Sequence, residues 1–207
     1  MLNIAVFISG GGTNLQAIID AVKENKINGT IELVFSNRKN AYGLVRAKNE
    51  NIDTFYLNKK GFSSNEEYDE RLIEELEKRN IDLIVLAGYL NILSSKLISK
   101  YSKKIINIHP SLIPSFCGMG FHGENVHKAV IKSGVKFTGA TTHFVDENVD
   151  TGAIILQDIV PVFIDDDFEI VAKRVLEVEH RILVKTIKAF CENKIVFKEN
   201  RAFIVGE

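Results

Sequence analysis

Short runs of Ile, Val, Leu and Phe alternate along the chain with longer stretches whose apolar residues recur every three or four positions. The runs read as strands and the stretches as helices. Asn3–Ser9 is the first strand and Leu15–Lys23 the first helix, with Leu15, Ile18, Ile19 and Val22 on one face. Ile31–Ser36 and Tyr42–Asn51 repeat the pair, and Thr54–Leu57 reads as a short third strand. Glu66–Arg79 is a charged helix with Tyr68, Leu72, Ile73 and Leu76 inward, capped by Ser64 or Asn65. Leu83–Ala87 and Ile105–His109 are further strands, with a helix over Ser94–Tyr101 between them.

These runs are nearly continuous in apolar residues, as expected of strands buried on both faces. Strand, helix, strand in succession implies parallel pairing through right-handed crossovers. From Pro110 the texture changes. Pro110–Gly123 reads as a long loop, Glu124–Ser133 as a helix, and Thr138–Val145 and Ala153–Val162 as strands joined by the acidic loop Asp146–Gly152. Asp167–Glu192 is a long helix capped by Asp165 or Asp166, and Val196–Lys198 with Ala202–Val205 forms a hairpin across Asn200. The expected fold is α/β: a doubly wound, mostly parallel open sheet of Rossmann-like type, with a long C-terminal helix and a small β hairpin. Its ligand site belongs beyond the carboxyl ends of the strands.

Composition narrows the function. The 207 residues suit a single domain. With 26 basic and 27 acidic side chains the formal charge is −1, and no basic stripe speaks for nucleic acid. No run approaches the ~20 apolar residues of a membrane span. Cys117 and Cys191 lack metal-ligand spacing and a disulfide framework. A cytoplasmic protein acting on small molecules is expected, with its oligomeric state left open.

Three segments carry candidate chemistry. Ser9–Gln16, SGGGTNLQ, follows the first strand and opens the first helix. Its glycines permit a tight turn and close ligand approach, and the helix N-terminus suits a phosphate. Leu15 stands where the dinucleotide fingerprint needs glycine. The alternative is a purely structural turn. In INIHPSLIPSF, Asn107 and His109 alternate at a strand end, so both side chains share a face. An amide and an imidazole together can hold an oxygen that becomes negative in acyl transfer; the alternative is a buried structural histidine. In THFVDENVDTG, His143 sits inside a strand pattern and Asp150 closes the acidic loop. An Asp brought near His109 would hold its tautomer and favour the protonated ring; otherwise Asp146, Glu147 and Asp150 shape a solvated turn.

In this order, SGGGTNLQAII, FSN, AGYLNILS, NIHPSLIPSF, HFVDENVDTGAIILQ and VEHRILV resemble the phosphoribosylglycinamide formyltransferases, over nearly the whole chain. NIHPSLIP alone is similar to folate-dependent formyl enzymes generally; GGGTNLQAI is the discriminating part. The resemblance implies transfer of a formyl group from the co-substrate 10-formyltetrahydrofolate to glycinamide ribonucleotide in de novo purine synthesis, without a metal. It implies Asn107, His109 and Asp150 as the catalytic set. It places Gly12, Thr13 and Asn14 at the ribonucleotide phosphate, Glu179 near the ribose, and Leu90, Asn91, Ile92 and Leu93, with Asn107, at the folate. Residues 1–105 become mainly the ribonucleotide-binding half and 106–207 the catalytic and folate-binding half. Family members often carry Arg at Asn91 and a basic residue at Asn65, so those anchors differ here. Of the rivals, a formyltetrahydrofolate hydrolase is expected to add an N-terminal regulatory domain. A methionyl-tRNA formyltransferase is expected to add a basic C-terminal domain. A nucleotide-binding module without activity leaves Asn107, His109 and Asp150 with no shared role.

Overall fold

A computed structural model describes residues 1–206 of the chain. The chain divides into two compact units, Met1–Ile106 and Asn107–Glu207.

The first unit runs β1 (Leu2–Ile8), α1 (Thr13–Lys23), β2 (Gly29–Ser36), α2 (Tyr42–Asn49), β3 (Thr54–Tyr56), a 3-10 turn (Lys59–Gly61), α3 (Asn65–Lys78), β4 (Leu83–Leu86) and α4 (Ser95–Lys100). β1 pairs in parallel with both β2 and β4, and β2 with β3. Ile4, Ala5, Val6, Phe7 and Ile8 are all fully buried, as the unbroken apolar run requires of a strand covered on both faces. Helix starts follow side-chain chemistry. Ser64 accepts from the Glu67 amide to open α3, and Ser94 accepts from the Leu97 amide to open α4. Phe7, Phe35 and Tyr89 form an aromatic knot, with centroids 4.8 Å apart for Phe7–Phe35 and 5.5 Å for Phe7–Tyr89. That knot seats the loop after β4.

The boundary falls within β5 (Ile105–His109), and the second unit continues with α5 (Glu124–Ser133), β6 (Phe137–Phe144), β7 (Ile154–Pro161), α6 (Phe168–Cys191), β8 (Ile195–Lys198) and β9 (Arg201–Ile204). β6 and β7 pair antiparallel, as do β8 and β9. On β7 the burial alternates: Val160 is buried while Ile159 is 59% exposed, the mark of a half-covered strand. The register of β6 on β7 slips between Thr142 and His143. α6 packs on β6, β7 and α5. Its cap is neither Asp165 nor Asp166. Asp167 accepts from the Ile170 amide, because Asp166 is held by Arg174 at 2.8 and 3.0 Å and by the Phe163 amide. The class is the one expected, α/β with a mostly parallel open sheet, a long C-terminal helix and a small antiparallel hairpin.

Candidate active site

The second unit brings Asn107, His109 and Asp150 into one cluster and adds His143 to it. Asn107 and His109 stand two residues apart on β5, so they share a face; Asn107 is half-buried and His109 is 5% exposed. The Asp150 carboxylate lies between two imidazoles. Its Oδ2 is 3.8 Å from His109 Nδ1 and its Oδ1 is 3.7 Å from His143 Nε2. Both separations exceed hydrogen-bond length, so each would be an ion pair only with a protonated ring. The Gly118 amide donates to Asp150 Oδ2 at 2.9 Å.

Local backbone explains how an acidic loop delivers this carboxylate. Asp150 has φ 58, a left-handed conformation that aspartate tolerates better than most residues. At Gly152 a Cβ would come within 1.8 Å of the Phe144 carbonyl oxygen, so only glycine lets the chain pass so close to the end of β6. Asp146, by contrast, shapes the turn: it accepts from the Asn148 amide and the Thr151 hydroxyl. Glu147 is exposed.

The loop after β5 closes over the cluster through its backbone. His109 Nε2 lies 3.0 Å from the Phe116 carbonyl oxygen. A carbonyl only accepts, so this nitrogen carries a hydrogen. The loop is stitched by Ser111 donating to the Ser115 carbonyl and by Gln157 donating to the Ile113 carbonyl. Burial pushes the pKa of His127, on α5, below its ordinary value, and the neighbouring His109 adds to that.

In the first unit, the glycine turn lies at the start of α1. Gly12 has φ 73, and its Cα backs onto α2 so closely that a Cβ would lie 2.7 Å from the Gly43 Cα. Thr13 is the first helical residue and Asn14 is 7% exposed. Arg46 of α2 donates through Nε to the Gly11 carbonyl at 2.9 Å and through Nη1 to Gln16 at 3.1 Å. The Ser9 hydroxyl donates to Asn37 Oδ1 at 2.7 Å and accepts from the Leu90 amide at 2.9 Å, tying the turn to the loop after β4. In that loop Leu90 and Ile92 are 44% and 56% exposed, while Asn91 and Leu93 are half-buried. Burial drives the Tyr89 phenol far above its ordinary pKa, so its hydroxyl stays protonated beside Asn91. Glu179 lies on α6 of the second unit and is 8% exposed. Among the described residues no group of three His, Cys, Asp or Glu side chains is arranged to hold a metal ion.

The sequence pattern marks neither His143 nor Arg46 nor Ser9 as a site residue. His143 lay inside a strand pattern whose alternation does not reveal a register slip. Arg46 had only its helical position, and Ser9 only its place before the glycines.

A family model described as formyl transferase matches residues 2–187. Over 207 residues the chain is 44% identical to the phosphoribosylglycinamide formyltransferase of Haemophilus influenzae, covering 100% of this chain and 95% of that protein. The protein of that name from Escherichia coli is 42% identical over 206 residues, with the same coverage. Among solved structures, glycinamide ribonucleotide transformylase 1 from Symbiobacterium toebii superposes with a TM-score of 0.94 at 39% identity, covering 100% of this chain and 95% of that one.

Proposed function

The chain belongs to the formyl transferase family, and on that premise we propose that it transfers a formyl group from 10-formyltetrahydrofolate to the amine of glycinamide ribonucleotide, yielding formylglycinamide ribonucleotide and tetrahydrofolate in purine synthesis. The observation that carries this reading is the cluster of half-buried Asn107, buried His109 and a carboxylate held between two imidazoles. Similarity along the whole chain to proteins named for this reaction supports it.

The amine lone pair attacks the formyl carbon, and the carbonyl electrons move onto oxygen. Asn107 Nδ2–H and the protonated His109 ring donate to that oxygen, as a pair of donors aimed at a developing oxyanion. The C–N bond to the folate then breaks. The proton lost by the attacking amine passes to the leaving folate nitrogen, with Asp150 as acceptor and donor along a water path. His109 Nε2–H is engaged by the Phe116 carbonyl in the described conformation, so donation through that nitrogen requires the loop after β5 to release it. Catalytic contacts commonly tighten only when substrate is bound.

Ribonucleotide phosphate sits on the amides of Gly12, Thr13 and Asn14, with Arg46 supplying positive charge beside Gly11. Glu179 takes the ribose hydroxyls. The pterin lies against exposed Leu90 and Ile92, in the loop that Tyr89 anchors on Phe7. Asn91 leaves the folate's glutamate tail without the cation that relatives often place there. Cys117 and Cys191, neither of them in a disulfide, suit the reducing cytoplasm.

The test is formyl consumption with glycinamide ribonucleotide, with water alone, and with methionyl-tRNA as acceptor. Turnover is expected only with the ribonucleotide. Equal turnover without any acceptor would make the protein a hydrolase instead.

A further inference from the structure

An asparagine amide is symmetric in shape but not in chemistry: Nδ2 donates two hydrogens and Oδ1 only accepts. Whether Asn107 presents a donor to the formyl oxygen therefore depends on what fixes the amide's rotation. His143 lies against it, 2% exposed, with Nε2 3.0 Å from Asn107 Nδ2. The other ring nitrogen, Nδ1, is 2.8 Å from the Phe144 carbonyl oxygen. A carbonyl cannot donate, so Nδ1 carries the hydrogen. In the neutral ring Nε2 is then a lone pair, and it accepts from Nδ2. Turning the amide over would set Oδ1 against that lone pair and forfeit the bond.

The groups facing the ring pull in both directions. Burial, the largest influence, pushes its pKa down, and His109 adds to that; the Phe144 carbonyl, Asp150 and Asp146 push it up; the net direction is down. A protonated ring would instead offer Nε2–H to Asp150 Oδ1, 3.7 Å away, and leave Asn107 without its acceptor. The strand itself supplies the aim. The slip in β6–β7 register falls between Thr142 and His143, and such irregularities redirect a side chain beside a site.

We propose that His143 is the positioning residue for Asn107: its Nε2 accepts one Nδ2–H, fixes the amide's orientation, and leaves the second Nδ2–H to donate to the formyl oxygen. This rests on the role of Asn107 in the reading above. The test is a double-mutant cycle in single-turnover formyl transfer with wild type, His143→Phe, Asn107→Ala and the double variant. Asn107→Ala is expected to lose roughly a hundredfold or more, as for any oxyanion donor. His143→Phe is expected to lose about tenfold or more in kcat with ribonucleotide KM nearly unchanged, and to add no further loss in the Asn107→Ala background. His143→Gln, which keeps an acceptor, should recover part of the rate. If the His143→Phe loss recurs undiminished in the Asn107→Ala background, or is absent in wild type, the positioning role is wrong. If Asn107→Ala itself turns over normally, the catalytic reading fails instead. Nitrogen-15 NMR of the wild-type imidazole gives an answer even where the Phe variant does not fold. A neutral ring protonated on Nδ1 at pH 7.5 supports the proposal; protonation on Nε2 overturns it.

Discussion

Removing the Asn107 amide or the His109 imidazole is expected to slow single-turnover formyl transfer by roughly a hundred- to a thousandfold, the usual cost of one lost oxyanion donor. Ribonucleotide KM should change little, because both groups act on the reacting oxygen rather than on the phosphate. A stable variant within about threefold of wild type would leave these side chains structural, since that is far below an oxyanion-site loss. The phosphate turn is best probed at Gly11, where an added Cβ meets open space among the described residues. Gly11→Ala is expected to raise KM for the ribonucleotide several-fold while KM for the folate and the melting temperature hold; an equal rise in both KM values would detach the turn from the phosphate. Gly12 is the poorer probe, because its positive φ and the contact with Gly43 would damage the fold together with binding.

At the scale of elements, the cap of α6 separates three neighbouring aspartates. Asp167→Ala is expected to cost about 1 kcal/mol, as a lost N-cap does. Exposed Asp165→Ala should stay within about 0.5 kcal/mol, the range of ordinary surface changes. Urea midpoints at unchanged slope read the difference, and equal shifts would mean that capping does not hold this helix. The same aspartates show where sequence pattern stops. The periodicity of residues 168–191 marks the helix, and of the two candidates Ser64 and Asn65 at the start of α3 it is Ser64 that caps. Three consecutive aspartates present identical capping chemistry, and only the position of Arg174 withdraws Asp166 from the competition. The glycine turn and the β5 end were legible because local chain direction fixes them. The part played by His143 was not, because it depends on a register slip against β7 that leaves no trace in hydrophobic alternation.

For the whole molecule, two buried histidines bear on stability in acid. Burial lowers the pKa of both His127 and His143 in the folded chain, whereas an unfolded histidine titrates near ~6.5. As pH falls below that value the unfolded chain takes up protons that the native one resists, so stability present above it drains away. Urea midpoints should therefore drop between pH 7.5 and 5.5, and His127→Leu should flatten the drop; an identical decline in the variant would mean that His127 does not contribute. The Ser9 hydroxyl reaches further than its size suggests, since it holds Asn37 and the Leu90 amide at once. Ser9→Ala is expected to raise KM for the ribonucleotide and for the folate together, and a rise in only one would show the two loops to be independent. With the loops so joined, selection acting on affinity for either substrate at this position drags the other along. The route by which a lineage retunes one substrate alone then runs through peripheral positions such as Asn91, leaving the shared serine in place.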